Sequence, residues 1–551
     1  MKKIFLALVL SLLSVAMYAQ NITVKGTVKD ASTGEPLSGA AILVKGTPQG
    51  VVADENGNYT ISVPKNGTLG FTTIGFKDLE VAVGGRSVIN VELEPDSKLL
   101  EETVVVAYGT KRKQDLVGSV STVDKGILAN TQQASVSNAL EGAVAGLQVV
   151  SSTGQPGDDA SIVIRGISSL SANNTVLIVV DGVPFNGSLS DINTADIESI
   201  SVSKDAVSNS LYGSRASGGV VMVTTKKGKK EDVNIRFNGN WGSVARAYKD
   251  YNMVTDNKEF YELTWFGIRN TAMSGDGMDA ASAAALASST LLSELGNYNA
   301  FKLPAGQYLV GLDGKLNPNA QVRYYDTFAN ALFQNAFRQN YDISASGGTD
   351  RTDYYISAGY LNNKSYVIGS DYDRFTARAN VNSQILKWLK VGVNFGFTRA
   401  SRNGVKDDTG IASNPFEVAR GWAPIFPVHA YDLQGNLLKD SKGNPIYDAG
   451  NGQTEGTSTR PTGINQNVIC SMSEDINKTI TNNFNGKGYL EAKFAKHFTF
   501  NANVSYEYEN GAGTSYYTPT IGDGQSFGGR GTKQSASSHT LNTVQTQFHG
   551  V

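Results

Sequence analysis

From Phe498 onward the chain alternates in a strict period of two: Phe498, Phe500, Ala502, Val504, Tyr506 and Tyr508 interleave with Thr499, Asn501, Asn503, Ser505, Glu507 and Glu509. Successive side chains of a strand point to opposite faces, so this segment has one apolar face and one polar, charged face. The same division sets Phe375, Ala377, Ala379 and Val381 against Thr376, Arg378, Asn380 and Asn382, and Val391, Val393, Phe395 and Phe397 against Lys390, Asn394 and Thr398. Two architectures accept such strands. In a sandwich the apolar face meets a second sheet; in a transmembrane barrel it meets lipid, and ~9–11 residues suffice to cross. Candidate strands of this type are Val233–Val244, Asn340–Gly347, Asp353–Leu361, Arg374–Ser383, Leu389–Arg399, Asn482–Phe494, Phe498–Glu509 and Ser537–Phe548. Their joints alternate between short (Gly347–Thr352, Gln384–Trp388, Ala495–His497) and long (Tyr248–Gln339, Ser401–Thr481, Asn510–Ala536), the spacing of an outer-membrane barrel. The first long joint holds an Ala-rich stretch, Met278–Leu295, that predicts a helix.

The N-terminus carries an address. Lys2 and Lys3 precede an apolar stretch, Ile4–Val15, too short to span a bilayer, and Tyr18-Ala19 before Gln20 is a cleavage point, although Met17 is larger than that rule prefers. Export is expected, with residues 1–19 as signal peptide. Beyond it no apolar run approaches the ~18 residues of a membrane helix. Lysine plus arginine number 48 against 50 acidic residues, so no global field favours nucleic acid. Cys470 stands alone, which removes disulfide and multi-thiolate chemistry, and His429, His497, His539 and His549 are scattered without metal-ligand spacing. No catalytic, metal or cofactor-binding group is predicted, since no G-x-S-x-G or phosphate-binding loop occurs. With 59 glycines and 14 prolines, the composition suits a folded, turn-rich β protein.

Between Ile22 and Glu94 short alternating runs separated by turn residues predict a small antiparallel sandwich over 20–95. Asp54-Glu55-Asn56-Gly57-Asn58 reads as a hairpin turn, because Gly57 comes too early and Lys65 stands where a calcium loop needs glutamate. The runs GTVKDASTGEPLSGAAILVKGT and ADENGNYTISV resemble the carboxypeptidase-regulatory-like domain, an immunoglobulin-like fold. A polar linker then leads, within 96–114, to Glu101-Glu102-Thr103-Val104-Val105-Val106-Ala107-Tyr108-Gly109, an extended, edge-competent strand by its valines. By position, ahead of Lys111-Arg112-Lys113 and between two domains, it resembles a TonB box, with Thr103, Val104, Val105, Val106, Ala107 and Tyr108 as the contact residues. Such a segment adds to the open sheet edge of a partner through backbone hydrogen bonds.

Residues 115–230 predict an α/β domain, with a helix near Val136–Val144 and strands near Val117–Val123, Gln148–Val150, Ile162–Arg165, Val176–Val180, Ile197–Val202 and Val220–Thr225. Here NALEGAVAGLQVVSSTGQPGDDASIVIRGISSL, VLIVVDGVPFNG and DIESISVSKDAVSNSLYGSRASGGVVMVTTKKGKK are similar to the plug of the SusC/RagA type of TonB-dependent transporter. Four landmarks keep the family's order: Ile164-Arg165-Gly166, Val180-Asp181-Gly182, Lys204-Asp205-Ala206 and Leu211-Tyr212-Gly213. Ser203 before Lys204 and Val207-Ser208-Asn209-Ser210 after it depart from the usual leucine and alanines. Arg165, Asp181, Lys204, Asp205 and Arg215 are read as structural and gating charges, paired with each other and with a polar wall, and not as catalysts.

The resemblance implies a mainly β protein: Ig-like sandwich, α/β plug, then about eight strands, over 231–551, of a larger transmembrane antiparallel barrel. A plug of this size needs a barrel of ~22 strands, so the chain is expected to be the N-terminal part of a longer transporter. It further implies an outer-membrane importer of an oligosaccharide or peptide, energised by TonB with ExbB and ExbD and assisted by a SusD-like surface lipoprotein. The rivals are a receptor for iron chelates, an exported β-rich adhesin and a secreted hydrolase. The adhesin leaves the plug motifs unexplained and the hydrolase lacks a nucleophile motif.

Overall fold

The computed structural model describes residues 21–31, 34–47, 49–73, 76–94, 103–106, 109–112, 120–123, 135–166, 176–204, 210–248, 250, 253–405, 413–494, 498–526 and 532–550. The expected signal peptide, Ala107, Tyr108 and Asp205 lie outside them. The chain divides into two compact units, Met1–Val117 and Gly118–Val551.

In the first unit β1 (Asn21–Asp30), β2 (Ala41–Val44), β3 (Gly50–Val52), β4 (Asn58–Pro64), β5 (Thr68–Thr72), β6 (Leu79–Ala82) and β7 (Val91–Leu93) form two sheets, ordered β4-β1-β7 and β3-β2-β5-β6. Alternation sets the facing: Tyr59, Ile61 and Val63 of β4 point into a core with Val24, Ile42, Leu69 and Phe71. The Asp54 carboxylate accepts the Asn56 and Asn58 amides at 2.9 and 2.8 Å, an Asx turn closed by Gly57 at φ 73°. Further on, β8 (Thr103–Val106) pairs antiparallel with β9 (Gly109–Arg112), from Thr103↔Arg112 to Val106↔Gly109. Of the extended strand expected across 101–109, the described residues are Thr103–Val106, in β8, and Gly109, which pairs with Val106 at the start of β9.

The second unit begins with an inner α/β domain: β10 (Val120–Val123), α1 (Val136–Ala139), β11 (Leu147–Val150), β12 (Ser161–Ile164), β13 (Leu177–Val180), β14 (Val183–Phe185), β15 (Ile197–Ser203) and β16 (Val220–Thr225). Its main sheet runs β10-β15-β16-β13-β14, with β11-β12 apart, around Val136, Leu140, Ile200, Val202, Val221 and Val223. Around it stands a wall of eight strands. These are β17 (Asn234–Val244), which the ladder β18 (Phe301–Lys302) and β19 (Gln321–Val322) follows in the chain, then β20 (Ala336–Gly348), β21 (Thr352–Lys364), β22 (Asp371–Leu386), β23 (Leu389–Asn403), β24 (Ile476–Phe494), β25 (Phe498–Tyr516) and β26 (Thr532–Gly550). The wall is antiparallel throughout, in the order β17-β20-β21-β22-β23-β24-β25-β26.

All eight expected strands are present, but several are longer: β24 begins at Ile476 and β25 ends at Tyr516. The alternation that marks a strand persists only where one face meets lipid, and the ladder continues beyond it. At the long-joint end the connections fold into a module with its own cores, built from α2 (Asn257–Ser274), α3 (Ala280–Glu294), α4 (Phe328–Ala331), α5 (Pro415–Gly421) and α6 (Val468–Glu474). Asp256 and Asp279 cap α2 and α3, and the Trp265 indole donates to Ser288 Oγ at 2.9 Å across their contact. Helix α3 was expected, α2 was not.

The wall's polarity is inverted relative to a water-soluble sheet. Its outward face carries Ile235, Phe237, Ile343, Ile356, Val393, Val504 and Val544, each half exposed or more, whereas Asp342, Arg374, Arg378, Asn380, Asn382, Asn483 and Glu507 are buried inside. Burying several such groups while exposing contiguous apolar surface costs free energy in water and gains it in a bilayer. Aromatic rings flank the apolar band. Phe494, Phe498 and Phe548 cluster at the short-turn end with centroids 5.5–6.1 Å apart, and Trp241 lies 6.5 Å from Tyr341 toward the other. Two such girdles bound a membrane-embedded barrel surface. Val504→Arg, in mid-band, is expected to destabilise the membrane-inserted protein by ~2–4 kcal/mol, and Asn503→Arg on the opposite face by less. Denaturant unfolding in lipid vesicles measures both; the reverse order would contradict the assigned faces.

Candidate functional site

Strands β20 to β25 turn their polar rows toward a set of short loops on the inner domain, and there the two meet. The loops are the β13–β14 turn, the segments Ser188–Asp191 and Asn193–Asp196, and the end of β16.

The β13–β14 turn is a two-residue loop, with Asp181 at φ 49° and Gly182 at φ 84° between the paired Val180 and Val183. Both φ values are positive, as a primed hairpin turn demands, which accounts for the Asp-Gly pair. The Asp181 carboxylate accepts the Thr225 amide at 2.9 Å and the Thr225 hydroxyl at 2.6 Å. Lys487 of β24 donates to the Asp181 carbonyl at 2.6 Å. From β22, Arg378 stands 3.8 Å from the Asp181 carboxylate and 3.7 Å from that of Asp196, with all three side chains no more than 8% exposed. Asp196 also accepts Tyr355 Oη at 2.9 Å and Ser357 Oγ at 2.6 Å from β21. One guanidinium thus serves two carboxylates on separate loops at distances beyond a hydrogen bond, and its Nε makes none.

Neighbouring contacts follow the same plan. Asn380 donates to Thr225 Oγ1 at 2.9 Å and to the Lys226 carbonyl at 2.7 Å. Asn193 donates to Asp342 at 2.7 Å. Arg374 donates to the Ser190 and Ile192 carbonyls, Thr398 to the Asp191 carbonyl at 2.9 Å, and Asn186 donates its amide to Glu507 at 3.0 Å. Farther up, Gln155 exchanges hydrogen bonds with the Val405 backbone at 3.0 Å in both directions, and Asp158 pairs with Arg402. Asp191 is the outlier. Burial pushes its carboxyl up to about 7, with the Ser188 amide and Arg374 opposing and Asp159 and Glu509 reinforcing.

Of the residues singled out in the sequence, Asp181 and Gly182 lie in this contact. Arg165 (φ 58°) and Gly166 follow β12 and are exposed. Lys204 donates to the Ala145 carbonyl at 2.5 Å within the inner domain. Tyr212 is buried there, and Gly213, at φ 69° and ψ −156°, takes a conformation open essentially to glycine. Arg215 is exposed. Asp196, Asn193, Lys226, Arg374, Arg378, Asn380, Lys487 and Glu507 were not singled out as a site, although Arg378, Asn380 and Glu507 lay in the polar rows of the alternation.

A polar-lined, apolar-clad wall holding an inner α/β domain defines a plugged outer-membrane β-barrel protein. Residues 112–220 match the TonB-dependent receptor plug domain and residues 24–106 the CarboxypepD_reg-like domain. The TonB-dependent receptor SusC of Bacteroides thetaiotaomicron is 30% identical over 545 residues, covering 94% of this chain and 48% of that protein. The TonB-dependent receptor P3 of Formosa agariphila is 30% identical over 550 residues, 99% of this chain and 48% of its own. The RagAB peptide importer in its open-open state superimposes with a TM-score of 0.55 at 25% identity, over 81% of this chain and 46% of that one. The chain belongs to the SusC/RagA type of TonB-dependent receptor, proteins of the outer membrane, and spans about half the length of the curated relatives it matches.

Arg378→Ala leaves Asp181 and Asp196 facing each other across a buried seat, and is expected to cost ~3–5 kcal/mol. A smaller loss in the unfolding free energy of the vesicle-inserted protein, under 1 kcal/mol, would contradict a shared counter-charge. Asp191 keeps its proton in the folded state from the ordinary carboxylate range up to about 7, where the unfolded chain has lost it. Its contribution to stability therefore falls as pH rises through that window and levels off above it. Asp191→Asn should flatten this part of the stability profile between pH 4 and 8; an unchanged slope would exclude Asp191 as its source.

Proposed function

We propose that the protein takes part in TonB-dependent import of a large solute, an oligosaccharide or a peptide, across the outer membrane. The observation that carries the reading is the seat itself: a plug held in a polar wall by contacts that water or a shifted loop can replace. A solute bound on the long-joint side biases the plug toward a state in which the segment ahead of it is available, which is a coupling of two sites and not a chemical step. TonB, driven by ExbB and ExbD, then pulls that segment and the contacts of Asp181, Asp196 and Asn193 exchange. A SusD-like surface lipoprotein covers the outer opening.

The coupling segment is β8. Its valines favour extension, and with β9 it makes, among the described residues, a two-stranded ladder, which is marginal by itself in water. A TonB strand can add to the edge of β8 that β9 leaves open, or replace β9. The test is binding of a peptide spanning residues 100–113 to the purified C-terminal domain of TonB from the same organism. Val105→Pro removes one ladder donor and is expected to weaken binding by about tenfold or more. Absence of binding, or equal binding by both peptides, would remove β8 as the coupling segment.

A further inference from the structure

Where the wall's cations reach the seat, they are committed to partners. Arg374 holds two plug carbonyls, Arg378 stands between two carboxylates and Lys487 donates to another carbonyl. Arg338, near the long-joint end of β20, departs from this. Phe337, Tyr341 and Ile343 are the exposed, outward residues of that strand, so alternation turns Arg338, Asn340 and Asp342 inward. Arg338 is half-buried, yet among the described residues its guanidinium has no ion pair and donates no hydrogen bond. The charge that acts on it is the like charge of Arg374.

The strand register leaves that guanidinium uncovered. Directly opposite it are Gly242 on β17 and Asn363 on β21, neither of them charged, and a Cβ on Gly242 would meet open space. The next inward pair sets Asn240 against Asn340, and the Asn240 amide is likewise uncommitted among the described residues. Arg338, Asn240, Asn340 and Arg374 line one cavity of about 580 Å³ between the wall and the plug segment Asn193–Asp196, a volume within the range of sites that take small ligands. The carboxylates of this cavity are engaged by the protein itself: Asp196 by Tyr355 and Ser357, Asp342 by Asn193 and Asn340. Glu198 also has a partner. A half-buried cation without a counter-charge, beside a second cation, carries a desolvation cost that an arriving anion offsets through charge-assisted hydrogen bonds.

We propose that this end of the cavity binds a carboxylate carried by the solute, through the Arg338 guanidinium with the Asn240 amide as a second donor. The assignment rests on the import reading above and adds to it a charge requirement that applies to a sugar or a peptide alike. The intact protein in detergent is titrated with two pairs of probes matched in size: trigalacturonate with its methyl ester, and Gly-Glu-Gly-Glu-Gly with Gly-Gln-Gly-Gln-Gly, both peptides capped at their termini. Inorganic phosphate is titrated separately. In at least one pair the acid is expected to bind about tenfold or more tightly than its neutral partner. Arg338→Gln should abolish that preference. Gly242→Glu, which sets a carboxylate opposite Arg338, should abolish it too, whereas Gly242→Gln, of the same bulk, should keep it. Equal binding within both pairs, a preference that survives Arg338→Gln, or one lost in Gly242→Gln while that variant melts as the parent does, would overturn the assignment. Phosphate binding as tightly as the better acid would make the ligand a free inorganic ion and overturn its assignment to the solute. Should no acid be preferred while the 100–113 peptide still captures TonB, the anion site falls and the import reading stands; loss of TonB capture removes the reading beneath it.

Discussion

Everything in the second unit depends on one constraint: a strand whose outer face meets hydrocarbon must meet something polar on its inner face. The lipid side admits Ile343, Val393, Val504 and Val544, all at least half exposed. The inner side then holds Asn380, Arg378 and Glu507, which would be costly to bury against an apolar domain. The inner domain meets this demand with short loops that present backbone carbonyls and carboxylates, and keeps its valine-rich core behind them. The seat is polar because the wall is a membrane wall.

Under the proposed import the seat must hold a plug and still release it, and that origin suits it to both. Desolvating an ion pair offsets much of its attraction, so pairs such as Arg378 with Asp181 and Asp196 fix position more than they add stability. The other contacts are hydrogen bonds, many with one charged partner, worth ~1–3 kcal/mol net and each exchangeable for water. Tyr355 and Ser357 on Asp196, or Asn380 on the Lys226 carbonyl, specify one docked arrangement without the irreversibility of a packed apolar interface.

The sequence disclosed the wall because alternation is a local property, and its strands were legible wherever lipid imposes two unlike faces. It concealed the ends of β24 and β25, where both faces are wet and no period is needed. It concealed α2 as well, whose buried Trp265 and Tyr261 are spaced as core residues of a module that has no simple repeat. Asp181-Gly182 was visible as a motif and owes its identity to the turn it builds. Its partners were visible only as polar residues at alternate positions, since pairing Arg378 with loops about two hundred residues earlier is a fact of three-dimensional register. Lys204 and Tyr212, equally prominent in the sequence, are held within the plug, whereas Arg165 is exposed and bonds there through its backbone amide alone among the contacts described.

In the proposed import, plug and wall part at this seat for solute to pass. Asn193 and Thr376 face each other across it, with Nδ2 3.3 Å from Oγ1. Replacing both by cysteine and joining them with a short thiol crosslinker would fix the plug in place. The native Cys470 competes little, being buried with its thiol pushed up to about 12. In cells producing the protein, solute uptake is expected to be lost on crosslinking and to return when a cleavable linker is cut. Uptake that continues at the parent rate with the crosslink in place would contradict it.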